Sequence, residues 1–159
     1  MSANDQKNEV VTAVTPLNFV SLDAILGRDS TELLALAMDV VETEKLGNIP
    51  VTALSNPEYK TIKKDCMSFI KDGNRMRPDI DDDKLMVEVL IAAVDKDTRS
   101  DFTFRNKALL EKLGVTTAAQ AVDKLVSPGE IFKGAMTVQD ISGFGEKAEK
   151  EAKDVIKNS

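Results

Sequence analysis

The sequence predicts a mainly α-helical protein: a compact bundle of about six to seven short helices, with one extended, edge-strand segment near residues 49–54. Aromatic residues make up only 4% of the chain and Trp is absent, so the core must be aliphatic, which suits helix packing. Apolar residues also recur at helical spacing between residues that cap helices.

Because 159 residues fit one domain, we expect a flexible leader over residues 1–20, a single helical domain over 21–145 and a solvated C-terminal helix over 146–159.

Two helices are predicted directly after the leader. Ser21 begins a short capped turn that Gly27 ends. Asp29 or Ser30 can cap a second helix, which we expect to continue to Gly47. The apolar face of this second helix comprises Leu33, Leu34, Leu36, Ala37, Val40 and Val41.

Residues 49–54 interrupt the helical pattern. The segment is short, contains β-branched residues and includes Pro50, which predicts an edge strand at most. Ser55 then carries the signature of a helix N-cap, because Glu58 follows three residues later. One face of that helix carries Tyr59, Ile62, Cys66, Phe69 and Ile70. Gly73 is expected to end it.

A loop is predicted over residues 74–80, which include Pro78. Acidic residues follow the loop and precede the longest apolar run, Leu85–Val94. Carboxylates at that place can bond the free N–H groups of a helix start and meet the positive end of its dipole. We expect this helix to be the central and most buried one.

Three further helices are predicted in the second half of the chain. Phe102–Leu113 is amphipathic, and Gly114 can cap its C-terminal end. Thr116 or Thr117 starts a short helix, and the segment Ser127–Glu130 breaks the chain and begins another. The apolar residues of that last core helix are Ile131, Phe132, Met136, Val138 and Ile141.

The charge of the chain excludes two classes of partner. A net charge of −6 and a pI of about 4.8 repel the phosphate backbone of nucleic acids and anionic membrane surfaces. The longest apolar run, Leu85–Val94, is ten residues and is interrupted by Glu88, whereas a membrane-spanning helix needs about 20. The first residues lack a basic and an apolar region of the kind that secretory signals have, so we expect a cytoplasmic protein.

The residue types that most catalytic sites need are scarce. The chain has no His, which excludes catalytic triads and imidazole metal ligands. Cys66 is the single cysteine, which excludes an internal disulfide and a cysteine-built zinc site. Its position on an apolar helix face favours core packing over a reactive thiol. We therefore predict no catalytic residue and no cofactor.

The aspartate clusters invite a calcium hypothesis, because an EF-hand loop begins with alternating aspartates. The first cluster consists of Asp79, Asp81, Asp82 and Asp83. Lys84 occupies the position where the loop needs Gly, and Leu90 the position where it needs a bidentate Glu. The second cluster, Asp95, Asp97 and Asp101, also lacks the closing Glu. Helix capping is the favoured interpretation of the first cluster, and we predict no metal site.

The C-terminal segment contains the candidate partner-binding residues. Gly143-Phe-Gly145 has part of a phosphate-loop pattern but follows a predicted helix, so a hinge or helix cap is the better interpretation. The Glu/Lys-rich helix behind it has a thin apolar edge that could dock in a partner's groove. A helix that frays in solution is the alternative. The candidate binding residues are Phe144, Val155 and Ile156.

Five segments of the second half form a recognisable series: Glu88–Val94, Asn106–Gly114, Leu125–Ile131, Asp140–Phe144 and Glu151–Lys153. Together they resemble the XkdN-like tail assembly chaperones of phages and prophages of Gram-positive bacteria. The Leu-x-Ser-Pro-Gly-Glu-Ile turn and the Ile-Ser-Gly-Phe segment are the most specific of them, and the resemblance covers about residues 48–157.

The resemblance implies a non-enzymatic chaperone of tail morphogenesis in the cytoplasm of the bacterial host. Its expected partner is the tape measure protein, which it would keep soluble, with the tail tube protein as a second partner; homo-oligomer formation is compatible with the sequence. Two alternatives stay open. One is a structural tail or neck component that remains in the particle, and the less favoured one is a divalent-metal-dependent enzyme that uses the aspartate clusters.

Overall fold

The structure, a computed structural model, describes residues 18–143. These residues belong to two compact units that divide between Ala35 and Leu36. The first unit contains helices α1, Leu22–Leu26, and α2, Ser30–Leu33. Neither helix has a buried residue, and Leu22, Leu26 and Leu33 are exposed.

The described part of the second unit, residues 36–143, is built from four strands and five helices. In chain order these are β1 (Met38–Thr43), β2 (Gly47–Thr52), α3 (Asn56–Asp65), β3 (Met67–Asp72), β4 (Arg75–Ile80), α4 (Asp82–Lys96), α5 (Lys107–Leu113), α6 (Ala118–Leu125) and α7 (Pro128–Ile141). Within residues 18–143 the strands form two separate antiparallel hairpins, β1–β2 and β3–β4. The prediction of a mainly α bundle is therefore wrong, and the architecture is α/β.

The first hairpin replaces most of the second predicted helix. That helix ends at Leu33, and residues 38–43 form β1 instead. Side chains alternate along β1, with Val41 and Thr43 buried and their neighbours exposed, so the strand buries Val41 while Val40, on its other face, stays exposed. Gly47, with a φ of 80°, closes the turn into β2, which contains residues 49–52 of the edge-strand segment predicted over 49–54.

The second hairpin replaces the end of one predicted helix and the loop after it. Helix α3 ends at Asp65, and the chain turns back at Gly73-Asn74 between β3 and β4. Gly73 has a φ of 63°, which matches the first position of a two-residue hairpin turn. Pro78 is tolerated in β4 because both strands of a two-stranded sheet are edge strands.

Helix α4 is the centre of the second unit, as its apolar run predicts. It packs against α3, α6, α7 and β2, and four of its side chains are completely buried: Val89, Leu90, Ile91 and Ala93. Its N-cap is Asp81, whose carboxylate accepts a hydrogen bond from the backbone N–H of Lys84. The core around α4 continues into β1, β2, α6 and α7.

The capping residues proposed from the sequence begin their helices in the structure. Ser55, Thr117 and Ser127 each form a capping box with the residue three positions on. The helix predicted from Phe102 starts later, at Lys107 with Asn106 as its N-cap. The preceding residues form a loop that buries an aromatic side chain.

Gly134 is the closest contact between α7 and the rest of the core. A Cβ atom at this position would lie 3.1 Å from Cγ1 of Val41 and 3.2 Å from Cδ1 of Leu90. Both distances are shorter than ordinary van der Waals contact. The missing side chain therefore allows α7 to lie directly on β1 and α4.

Replacing Gly134 with Val should destabilise the second unit. The added methyl groups would overlap Val41 and Leu90, so we expect a loss of about 1–3 kcal/mol in the free energy of unfolding, the usual cost of overpacking. Gly129→Val is the matched control on the same helix, because no atom lies within 4 Å of its Cβ position. Urea unfolding of the two variants tests this, and equal stabilities would contradict the proposed contact.

Candidate partner-binding groove

An open groove of about 710 Å³ lies between β1 and α7. Its β1 side is formed by Val40, Val41, Glu42, Thr43 and the following Glu44. Its α7 side is formed by Glu130, Phe132, Lys133, Met136, Thr137 and Asp140. The groove exists because α7 packs against β1 through Gly134 and leaves its outer face uncovered.

The floor of the groove is apolar. Phe132 is 54% exposed although it is a large aromatic residue, and Met136 lies one helical turn further along α7. Val40 contributes from the exposed face of β1. Exposed aromatic and methionine side chains of this kind are enriched where proteins bind other proteins.

The rim of the groove is acidic. Four of its lining residues are carboxylates and one, Lys133, is a cation, which leaves a net charge of −3 (4 − 1). The carboxylates are Glu42, Glu44, Glu130 and Asp140. A ligand that fits this surface would therefore combine an apolar stripe with flanking Lys or Arg side chains.

Glu130 connects the two walls. Its Oε1 accepts a hydrogen bond from Ser127 N–H at 3.0 Å, which completes the cap of α7, and its Oε2 accepts from Glu44 N–H at 2.7 Å. These two backbone donors, Ser127 first, hold the pKa of Glu130 below its usual value. The capping residue thus also fixes the turn after β1.

The outer edge of β1 faces no other strand within the described part of the chain. One of its backbone N–H groups, that of Val40, donates to the side chain of Asp39 at 2.7 Å. The N–H of Glu44 is bonded to Glu130 in a similar way. Because carboxylates already occupy these donors, the groove is better suited to a helix that binds through side chains than to an added strand.

The β1–β2 hairpin is attached to the end of α4 by Asp97 and Arg99. The side chain of Asp97 is almost completely buried and accepts from Arg99 Nη2 at 2.9 Å and from Thr52 Oγ1 at 2.8 Å. Arg99 Nη2 also donates to the carbonyl oxygens of Asp39 at 2.7 Å and Val51 at 3.3 Å. This cluster therefore fixes the strand that forms one wall of the groove.

The same cluster changes the acidity of Asp97. Hydrogen bonds from the Arg99 guanidinium are the largest lowering effect, and with those from the Arg99 backbone and Thr52 they outweigh the effect of burial and lower the pKa of Asp97 to about 2. The charged form of Asp97 is therefore the one that stabilises the fold.

The structure gives local roles to three aspartates of the two clusters. Asp81 caps α4, Asp97 holds the hairpin, and Asp95 accepts hydrogen bonds from Thr103 and from Arg105 Nε at 2.7 Å. Among residues 18–143 no group of three acidic or cysteine side chains is arranged to hold a metal ion.

Cys66 is buried at the end of α3, as its place in the apolar pattern predicted. Burial raises the pKa of its thiol, with smaller opposing and reinforcing effects of nearby charges. The thiol is therefore held in its unreactive, protonated form.

The three candidate binding residues named from the sequence, Phe144, Val155 and Ile156, lie outside the described residues. Sequence reasoning missed the groove because it assigned Val40 to a helix. The signal that could have revealed it was Phe132, an aromatic residue directly after the buried Ile131 and therefore on a different face of α7.

An exposed apolar groove with a charged rim is typical of proteins that bind a segment of another protein. Comparison with known protein families identifies the family to which the chain belongs. The family described as phage XkdN-like tail assembly chaperone protein matches residues 22–156. The chain therefore belongs to the XkdN-like family of phage tail assembly chaperones, as its sequence segments predicted.

A solved structure described as the crystal structure of the protein yqbn shares the fold. The match covers 80% of this chain and 99% of that one, with a TM-score of 0.54 and 12% sequence identity. No curated protein matches the chain. Among the described residues, no helix has the length and apolar character needed to cross a membrane.

Replacing Asp97 with Asn should remove an acid-sensitive part of the stability. Because the pKa is about 2 in the folded state and about 3.9 in the unfolded state, the unfolded state binds more protons between pH 4 and 2, and stability falls as pH falls. We expect Asp97→Asn to cost about 2 kcal/mol at pH 7, and the difference from the parent to shrink towards pH 2.

Urea unfolding of the parent and the variant at pH 7, 4, 3 and 2 measures this. Asp123→Asn, an exposed aspartate on α6, is the control and should change the free energy of unfolding by less than about 0.5 kcal/mol. A variant that loses stability with acid as steeply as the parent would refute the role of Asp97.

Proposed function

We propose that this protein binds the tape measure protein during phage tail assembly and keeps it soluble, and that the groove between β1 and α7 is the binding site. Membership of the tail assembly chaperone family supports the process. The observation that carries the binding site is the exposed Phe132 within an acidic rim.

The groove has the chemistry that an amphipathic helix needs. Tape measure proteins are expected to be long helices with exposed apolar stripes, which aggregate unless they are covered. The stripe would pack on Phe132, Met136 and Val40, while Lys or Arg residues beside it would meet the carboxylates of the rim. The acidic surface of the chaperone, with a net charge of −6, would keep the complex dissolved.

Non-covalent binding in an open groove would also allow the chaperone to release the tape measure protein. A groove that is open along one side lets the helix leave when another protein competes for the same stripe. The tail tube protein is the expected competitor, because it must surround the tape measure protein in the completed tail. The protein would act in the cytoplasm of the bacterial host, without an enzymatic step.

Two substitutions in the groove should weaken binding without affecting the fold. Phe132→Glu places a charge where an apolar stripe would pack, and Asp140→Lys reverses one rim charge; both residues are exposed, so the core stays intact. We expect the double variant to bind the tape measure protein at least about tenfold more weakly, because buried aromatic anchors dominate such interfaces. Co-expression, co-purification and titration with the tape measure protein measure this.

Ala108→Glu on α5 is the matched control, since it adds a carboxylate at an exposed apolar position outside the groove. It should bind like the parent. Binding by the parent should also weaken as salt is added, because rim charges are screened. The proposal fails if the parent forms no complex and the protein is found in purified virions, which would favour a structural component of the tail or neck.

A further inference from the structure

The β3–β4 hairpin, Met67–Ile80, projects from the second unit as a separate surface, which we name the hairpin arm. Its strands pack mostly on each other rather than on other elements. The base is fixed, because Asp81 N–H donates to the carbonyl oxygen of Cys66 at 2.9 Å and Ile80 packs against the core. A two-stranded hairpin that packs on nothing is at best marginally stable in water.

The strand register gives the arm one apolar face. Residues paired across a hairpin lie on the same face, and so do alternate residues along each strand. The pairs Met67–Ile80, Phe69–Pro78 and Lys71–Met76 therefore share one face. The opposite face carries Ser68, Ile70, Asp72, Arg75, Arg77 and Asp79.

This apolar face is open. Phe69 is 63% exposed and Met76 is 62% exposed. Two large apolar side chains, beside an exposed Pro78, form a continuous patch on a projecting element rather than isolated surface residues. Patches of this kind mark places where another protein binds.

The outer half of the arm is basic, although the chain is acidic. Lys71, Arg75 and Arg77 against Asp72 leave a net charge of +2 (3 − 1) between residues 71 and 77, in a chain whose net charge is −6. The ion pair between Arg77 and Asp72, at 3.6 Å, occupies one of the three cations. Within residues 18–143, Lys71 and Arg75 form no ion pair.

We propose that the hairpin arm is a second docking surface and that it binds an acidic amphipathic helix of a partner protein. The apolar stripe of that helix would cover Phe69 and Met76, and carboxylates beside the stripe would pair with Lys71, which lies on the same face. The groove is acidic and the outer half of the arm is basic, so the two surfaces select segments of opposite charge. The proposal does not depend on what occupies the groove.

A tryptophan reporter can test the arm directly, because the chain contains no Trp. The full-length Phe69→Trp variant is titrated with two synthetic helical peptides that share a Leu stripe; one has Glu beside the stripe and the other has Lys. We expect the Glu peptide to shift the emission to the blue and to bind about tenfold more tightly than the Lys peptide.

Charge reversal in the reporter background tests Lys71. Lys71→Glu should weaken binding of the Glu peptide about fivefold or more. Lys107→Glu, at an exposed residue of α5, is the matched control and should leave it within about twofold. Circular dichroism checks that all variants keep the secondary structure of the parent.

Three results would overturn the proposal. The first is equal affinity for the two peptides, which would mean that charge does not select the partner. The second is loss of the response in the groove variant Phe132→Glu/Asp140→Lys, which would place the peptide in the groove. The third is a blue shift that grows with protein concentration without peptide, which would mean that a second copy covers the arm.

Discussion

The second unit depends on the burial of α4. Its completely buried side chains, such as Leu90 and Val89, remove more apolar surface from water than those of any other described helix. The elements around α4 are placed by that burial, and α7 can pack on it closely only because Gly134 has no side chain. The groove is a consequence of this arrangement, since the face of α7 opposite α4 stays exposed.

Carboxylates position the elements that the apolar core brings together. Glu130 caps α7 and also holds the turn after β1, and Asp97 holds Arg99 against the carbonyl groups of the hairpin. Both contacts are hydrogen bonds to backbone groups of separate elements. An acidic composition, which at first suggests only solubility, therefore also fixes the wall of the proposed binding site. The rim of the groove is acidic, and it contrasts with the basic outer half of the arm.

The fold is shared with a solved structure at only 12% identity. Such a likeness is understandable, because helix caps, glycine turns and an aliphatic core accept many different residues of suitable size and polarity. Surface residues such as Phe132 and Phe69 do not serve these requirements, since they are exposed. These large apolar side chains are exposed in the folded protein, which indicates that a partner protein binds there.

Several features could be determined from the sequence alone. The caps at Ser55, Thr117 and Ser127, the buried helix around Leu85–Val94 and the family follow from local patterns that act within a few residues. The Gly73-Asn74 turn carried a hairpin signal as well, but the apolar spacing from Tyr59 to Ile70 also fitted one helix.

Only the tertiary structure decided between helix and strand for residues 38–43, because Val41 and Thr43 are buried by contacts with α7 and β2. Helix α7 lies far away in the chain, and β2 is a strand only when it is paired with β1. The groove and the open face of the arm were decided in the same way. Both consist of residues from separate segments, and which side of each element faces solvent depends on what packs against the other side.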